Sequence, residues 1–240
     1  MTLRVSIVVC AYNGAAFLER HSLPSALAQS FGDFELIVVD DGSTDGSLEA
    51  AKAAAAGDQR VSFLRIEHTG NPSIVKDTGV RAGSGEWVAV LDSDDTLLPT
   101  ALAESVQTLA RHPESGVLYT DRFNVSPDGT RCPDPANGIR YSRDRVLSYG
   151  IIFHLVVFRR DLYELVGGFD PSLDYADDYD LNLKLSEVTE VFHLQRPLHL
   201  RLVGPGHSSV SESFRVEQIE SVKRAQVNAI RRRRTFSRFS

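Results

Sequence analysis

Residues 86–99 read Glu-Trp-Val-Ala-Val-Leu-Asp-Ser-Asp-Asp-Thr-Leu-Leu-Pro. The apolar run Trp87–Leu91 is rich in β-branched and aromatic residues, which predicts a strand buried on both faces. It ends abruptly in Asp92, Asp94 and Asp95, three carboxylates within four positions. Mutual repulsion makes such a cluster costly unless a cation neutralises it or water surrounds it. Hard oxygen ligands of this kind suit Mg²⁺ or Mn²⁺, which commonly keep coordination sites for substrate phosphates. Ligands of open α/β sheets bind beyond the carboxyl ends of strands, where these aspartates would lie. A plain polar turn between strand and helix is the alternative.

Outward from this strand, the chain alternates. Val5–Cys10 reads as a first strand closed by the turn Ala11-Tyr12-Asn13-Gly14, and residues 17–29 as a helix despite Pro24. Leu36–Val39 is a second strand, ending in Asp40-Asp41-Gly42-Ser43-Thr44-Asp45. Gly42 suits a turn, and Ser43 or Thr44 is placed to cap a helix running to Ala56. Val61–Ile66 is a third strand, and Ile74–Ala82 a short helix. Strands alternating with helices imply parallel pairing in an α/β, doubly wound sheet. A helix to about Arg111 and a strand at Val117–Asp121 follow, then loop material over 126–140. Gly150–Phe158, Arg159–Val166 and Tyr179–Leu185 read as a strand and two helices of a second half, and residues 212–234 as an amphipathic helix.

The whole chain sets bounds on function. With 240 residues, 42% hydrophobic and 24% charged, it has the make-up of a globular protein with a substantial core. A formal net charge of −6 argues against nucleic acid as the main partner. No apolar run approaches the roughly 20 residues needed to span a bilayer. Cys10 and Cys132 give no disulfide framework, and the N-terminus opens at once into a strand without a signal-peptide pattern, so the expectation is a cytoplasmic protein.

Several side chains are candidates for chemistry, each with a bland rival. Asp40 and Asp41 at a strand tip can accept hydrogen bonds from a base or ribose, or simply close the turn. Tyr12 can lie flat against a nucleobase or pack in the core. Asp177 and Asp178 open a predicted helix, where the dipole favours carboxylates; capping explains one of them, and a general base is the other reading. His207 lies in a glycine-flanked loop that permits close approach to a ligand. The run Arg231–Arg234, with Phe236 and Phe239, reads as a solvated, frayed tail or as a contact for anionic lipid head groups at the inner face of a membrane.

Together these pieces resemble glycosyltransferase family 2, the inverting transferases of the GT-A fold. The likeness runs from Ser6-Ile7-Val8-Val9-Cys10-Ala11-Tyr12-Asn13 through Ile37–Asp45 and Gly85–Asp95. It ends with Gly167-Gly168-Phe169-Asp170 and Ala176-Asp177-Asp178-Tyr179-Asp180-Leu181. The resemblance implies that Ala11, Tyr12, Asp40 and Asp41 hold the nucleoside, most often uridine. Asp92 and Asp94 look like the Asp-x-Asp pair, with Asp94 the ligand of Mn²⁺ or Mg²⁺, Asp92 near the ribose and Ser93 among the donor contacts. Asp178 matches the catalytic base, and His207 is similar to a C-terminal histidine that approaches the metal or diphosphate.

Lys76-Asp77 stands where an Arg-Asn pair is common, so Lys76 keeps the charge expected at the diphosphate. Asp177 replaces a usual Glu, and Asn182 and Lys184 replace a frequent Trp and Arg. The Gln-x-x-Arg-Trp signature of processive relatives is absent, which implies a single addition. The expected organisation is one GT-A domain over 1–210, with a nucleotide-sugar half (1–125) and an acceptor half (126–210). A C-terminal helix and basic tail (211–240) would follow. Rivals are a haloacid-dehalogenase-like phosphatase, suggested by Asp92-Ser93-Asp94-Asp95-Thr96, and a nucleotide-sugar-binding subunit without turnover.

Overall fold

The computed structural model describes residues 4–152, 155–173, 175–204 and 215–236. Its strands are β1 (Val5–Ala11), β2 (Phe34–Asp40), β3 (Val61–Arg65), β4 (Trp87–Asp92), β5 (Thr96–Leu97), β6 (Ser115–Val125), β7 (Arg131–Pro133), β8 (Val156–Arg159) and β9 (Glu190–Leu202). Its helices are α1 (residues 15–27, with a π-helical turn at Leu18–Ser22), α2 (Ser47–Ala55), α3 (Pro72–Ala82), α4 (Ala101–Arg111), α5 (Arg143–Tyr149), α6 (Arg160–Leu165), α7 (Asp177–Val188) and α8 (Arg215–Phe236).

Alternate side chains of the buried strands enter two separate cores. Val8, Val39 and Val90 face one, beneath α3, α6, α7 and α8. Val9, Val38 and Leu91 face the other, beneath α1, α2 and α4. A strand covered on both faces needs apolar residues at every position, which is why these segments read as unbroken runs. Close packing reaches the backbone at Gly79 of α3, where a Cβ would stand 2.3 Å from Val8 Cγ1 and 3.0 Å from Val39 Cγ2.

Strands β3-β2-β1-β4 pair in parallel. β8 then inserts antiparallel between β4 and β6, β9 runs parallel to β6, and the short β5 closes the edge. The sheet is therefore mixed but mostly one-directional, and it passes through both expected halves without a break.

The structure departs from the sequence reading in several places. Neither Ser43 nor Thr44 caps α2, whose N-cap is Gly46 at φ +83 with no side-chain cap bond. Ser43 Oγ instead accepts from Asn13 N at 2.9 Å, and Asp45 Oδ1 accepts from Ser47 N at 3.0 Å. Loop 126–140 contains β7, paired to β6, and the segment expected as a strand from Gly150 is strand only over Val156–Arg159. Helix α5 and the 13-residue β9 were not anticipated. β9 escapes notice because its exposure is irregular and Pro197 interrupts it at a register shift opposite Asp121. Arg231–Arg234 is helical, and Glu187 engages Arg232 and Arg233. Arg232 bonds Glu187 at 2.7 and 3.0 Å, and Arg233 approaches Glu187 at 3.8 Å.

Candidate active site

The order of parallel strands reverses between β1 and β4, and a crevice opens there at their carboxyl ends. Register places the candidate residues side by side: Ala11 pairs with Asp40, and Cys10 with Asp92. The cleft above them has a volume of about 950 Å³. Ala11, Tyr12, Asp41, Lys76, Asp92, Ser93, Asp94 and Asp178 all line it. Two of the expected residues are not among them. Asp40 is only 1% exposed and lies behind the rim, where its Oδ1 accepts from Ser43 N at 3.3 Å and its Oδ2 is 3.6 Å from Arg65 Nε. His207 lies outside the described residues.

One wall is built by Asp41. Its Oδ1 accepts from Thr69 N at 2.8 Å and Thr69 Oγ1 at 3.0 Å. Its Oδ2 accepts from Gly70 N at 3.3 Å and stands 2.9 Å from His68 Nδ1. These bonds hold the 68–71 loop against the strand tip, and Gly42 at φ +70 is required there because a Cβ would meet His68 N at 2.8 Å. Tyr12 stacks on the His68 ring, centroids 3.9 Å apart and planes 14° from parallel, while remaining half exposed. An aromatic platform beside a carboxylate suits a nucleobase.

The acidic turn forms the floor. Asp95 N donates to Asp92 O at 3.1 Å, which folds the turn back on itself. Asp95 Oδ2 stands 2.9 Å from Nε2 of His199, and both side chains are buried. His199 comes from β9, opposite Leu97 in register. Sequence reasoning missed it because β9 itself went unread. The loop residue Asn71, along with Arg122 of β6 and Arg201 of β9, also lines the cleft unforeseen.

Across from the turn stand Asp177 and Asp178 in the first turn of α7. Lys76 Nζ donates to Asp177 Oδ2 and to Asp178 Oδ2, each at 2.8 Å, from over a hundred residues away in sequence. Burial, with Asp178 next and Lys76 opposing both, pushes the Asp177 carboxyl up to about 6. Burial alone would lower the Lys76 ammonium, but the combined pull of Asp177 and Asp178 raises it well above its ordinary range. Burial also drives the Cys10 thiol upward, so Cys10 stays a neutral lining group.

The donor set fits a hard divalent cation. Asp92 and Asp94 line the cleft, and Mg²⁺ or Mn²⁺ is commonly held by one or two carboxylates plus substrate phosphates. Among the described residues no group of three acid, histidine or cysteine side chains is placed to hold such an ion.

A mostly one-directional sheet with a carboxylate-lined cleft at its switch point is the arrangement of a GT-A glycosyltransferase. Solved structures agree on the fold. S. aureus TarS (residues 1–349) in complex with UDP superposes with a TM-score of 0.77 at 21% identity, covering 95% of this chain and 65% of that one. The mannosyltransferase PcManGT from Pyrobaculum calidifontis, in complex with GDP-Man and Mn²⁺, gives 0.73 at 23% identity over 95% and 64%. The chain belongs to glycosyl transferase family 2, whose profile matches residues 6–166. It is 32% identical over 208 residues to a chondroitin synthase of Escherichia coli, covering 87% of this chain and 30% of that protein. Several curated relatives are much longer, the chain spanning between 18% and 30% of their length.

Proposed function

We propose that this chain is an inverting, cation-dependent transferase that moves a sugar from a UDP-linked donor to an acceptor hydroxyl, one unit per reaction. The observation that supports it is the placement of Asp178. It is half-exposed in the same cleft as the Tyr12–His68 platform and the 92–95 turn. The nucleoside would rest on Tyr12 with Asp41 behind it. Asp94, with Asp92 beside it, would hold Mn²⁺ or Mg²⁺, which when bound offsets the charge of the leaving diphosphate. Asp178 accepts the proton of the acceptor hydroxyl as that oxygen attacks the anomeric carbon. The bond to the diphosphate oxygen breaks on the opposite face, so the carbon inverts. Residues 1–125 would serve the donor and 126–210 the acceptor.

Among the described residues no helix is long and apolar enough to cross a membrane. Two free cysteines fit a reducing compartment. Any contact of the basic run with anionic lipid would include Arg231 and Arg234, both exposed on α8.

The test is release of nucleotide from UDP-GlcNAc, UDP-glucose and GDP-mannose, each with Mn²⁺ and each with chelator. The expected result is cation-dependent UDP release that Asp178→Asn abolishes without weakening UDP binding. Release from GDP-mannose alone would replace the uridine assignment. Binding and release of none of them would overturn the transferase reading.

A further inference from the structure

Lys76 was expected at the donor diphosphate, because an Arg-Asn pair is common where Lys76-Asp77 stands. The geometry points elsewhere. Lys76 is only 5% exposed, and its ammonium is seated between two carboxylates at equal distances of 2.8 Å. Its Nζ lies over the Phe169 ring, 5.8 Å from the centroid. Asp177 is itself buried and bonds to Lys76 and to no other described residue. Its position at the start of α7 therefore does not make it a cap. Were Lys76 to swing toward a phosphate, a buried carboxylate would lose its partner, a costly exchange. Asp178 differs from Asp177 in one respect: it is half-exposed to the cleft while one of its oxygens is fastened by the same ammonium.

We propose that Lys76 is a positioning residue for the candidate base, fixing the plane of Asp178 while Asp177 anchors Lys76, and that it does not bind the donor diphosphate. This rests on Asp178 being the base. The buried arm explains why a shorter Asp can replace the usual Glu at 177: the ammonium reaches it directly. Two of the three ammonium N–H donors are committed to carboxylates. The bond from Lys76 holds the plane of the Asp178 carboxylate at a fixed angle to the cleft, which is the condition for efficient proton transfer from an incoming hydroxyl.

The experiment compares wild type, Lys76→Met, Lys76→Arg and Asp178→Asn. UDP, UMP and GDP are titrated calorimetrically in Mn²⁺, and turnover is read as nucleotide released from the donors named above. For Lys76→Met the expected result is a turnover number down about 100-fold with UDP affinity within about threefold of wild type. Lys76→Arg, whose fork can span two carboxylates, should recover most of the turnover. A Lys76→Met protein that binds UDP at least tenfold more weakly, with UMP binding unchanged, would overturn the inference and restore the diphosphate contact. Should Lys76→Met fail to fold, the uncharged Lys76→Gln takes its place in the same comparison: lowered turnover with unchanged UDP affinity supports, tenfold weaker UDP binding overturns. Failure of the underlying reading looks different: Asp178→Asn would keep its turnover, or wild type would bind neither UDP nor GDP.

Discussion

The two acidic corners of the cleft treat their aspartates differently. At the tip of β2, Asp40 and Asp41 face neighbouring backbone and side chains: Ser43 N and Arg65 for one, Thr69, Gly70 and His68 for the other. At the start of α7, Asp177 and Asp178 share a single lysine and accept a strained electrostatic position. The first corner builds a wall; the second keeps a carboxylate poised. Adjacent aspartates in sequence therefore say little about role until the donors around them are counted.

Four measurements would break or sharpen this contrast. The largest effect is expected for Asp178→Asn. Turnover should fall about 10³-fold while UDP affinity stays within a small factor, as measured by nucleotide release beside calorimetry. Asp94→Asn should follow, with turnover down about 10²-fold and the thermal stabilisation by UDP plus Mn²⁺ lost, because linkage to a bound ligand requires the site that holds it. Equal catalytic loss in Asp41→Asn would erase the distinction between the corners.

Third comes Asp177. Its affinity for a proton is higher in the folded chain than in the unfolded one, so the folded state binds the extra proton between the ordinary carboxylate range and about 6. Stability from this group is therefore greatest below about pH 4, falls as pH rises toward 6, and is flat above. The span corresponds to at most about 3 kcal/mol. Denaturant melts of wild type and Asp177→Asn across pH 4–7 should differ in slope within that window and run parallel above it. Identical slopes would show that Lys76 already neutralises the pair. The smallest effect is expected for Asp40→Asn: a stability loss of about 1–2 kcal/mol with turnover nearly unchanged, since its carboxylate is buried behind the rim against Ser43 and Arg65.

Much of this was legible in the chain. Runs such as Val5–Cys10 and Trp87–Leu91 announce strands buried on both faces, and acidic residues at their ends mark the carboxyl edge of the sheet. The GT-A fold and the cleft positions of Tyr12, Asp41, Asp92, Asp94 and Asp178 followed from those signals and from the resemblance. What could not be read is pairing across long sequence separations. Nothing local in Lys76 says that its partners lie at 177 and 178, nor in His199 that it meets Asp95. The burial of Asp40 was hidden for the same reason: its neighbour Arg65 arrives from another strand. β9 was lost because a proline and a register shift break the period that reveals strands.

The family profile ends at residue 166, yet the core beneath α7 and α8 does not. Leu181, Leu183 and Leu185 of α7, and Ala225 and Ala229 of α8, are fully or almost fully buried in the same core as Val117 and Phe158. Gln218 and Val222 reach the cleft itself. Trimming the gene to the recognisable portion would thus strip a hydrophobic floor as well as Asp177 and Asp178. The resulting piece should precipitate rather than survive as a nucleotide-holding remnant.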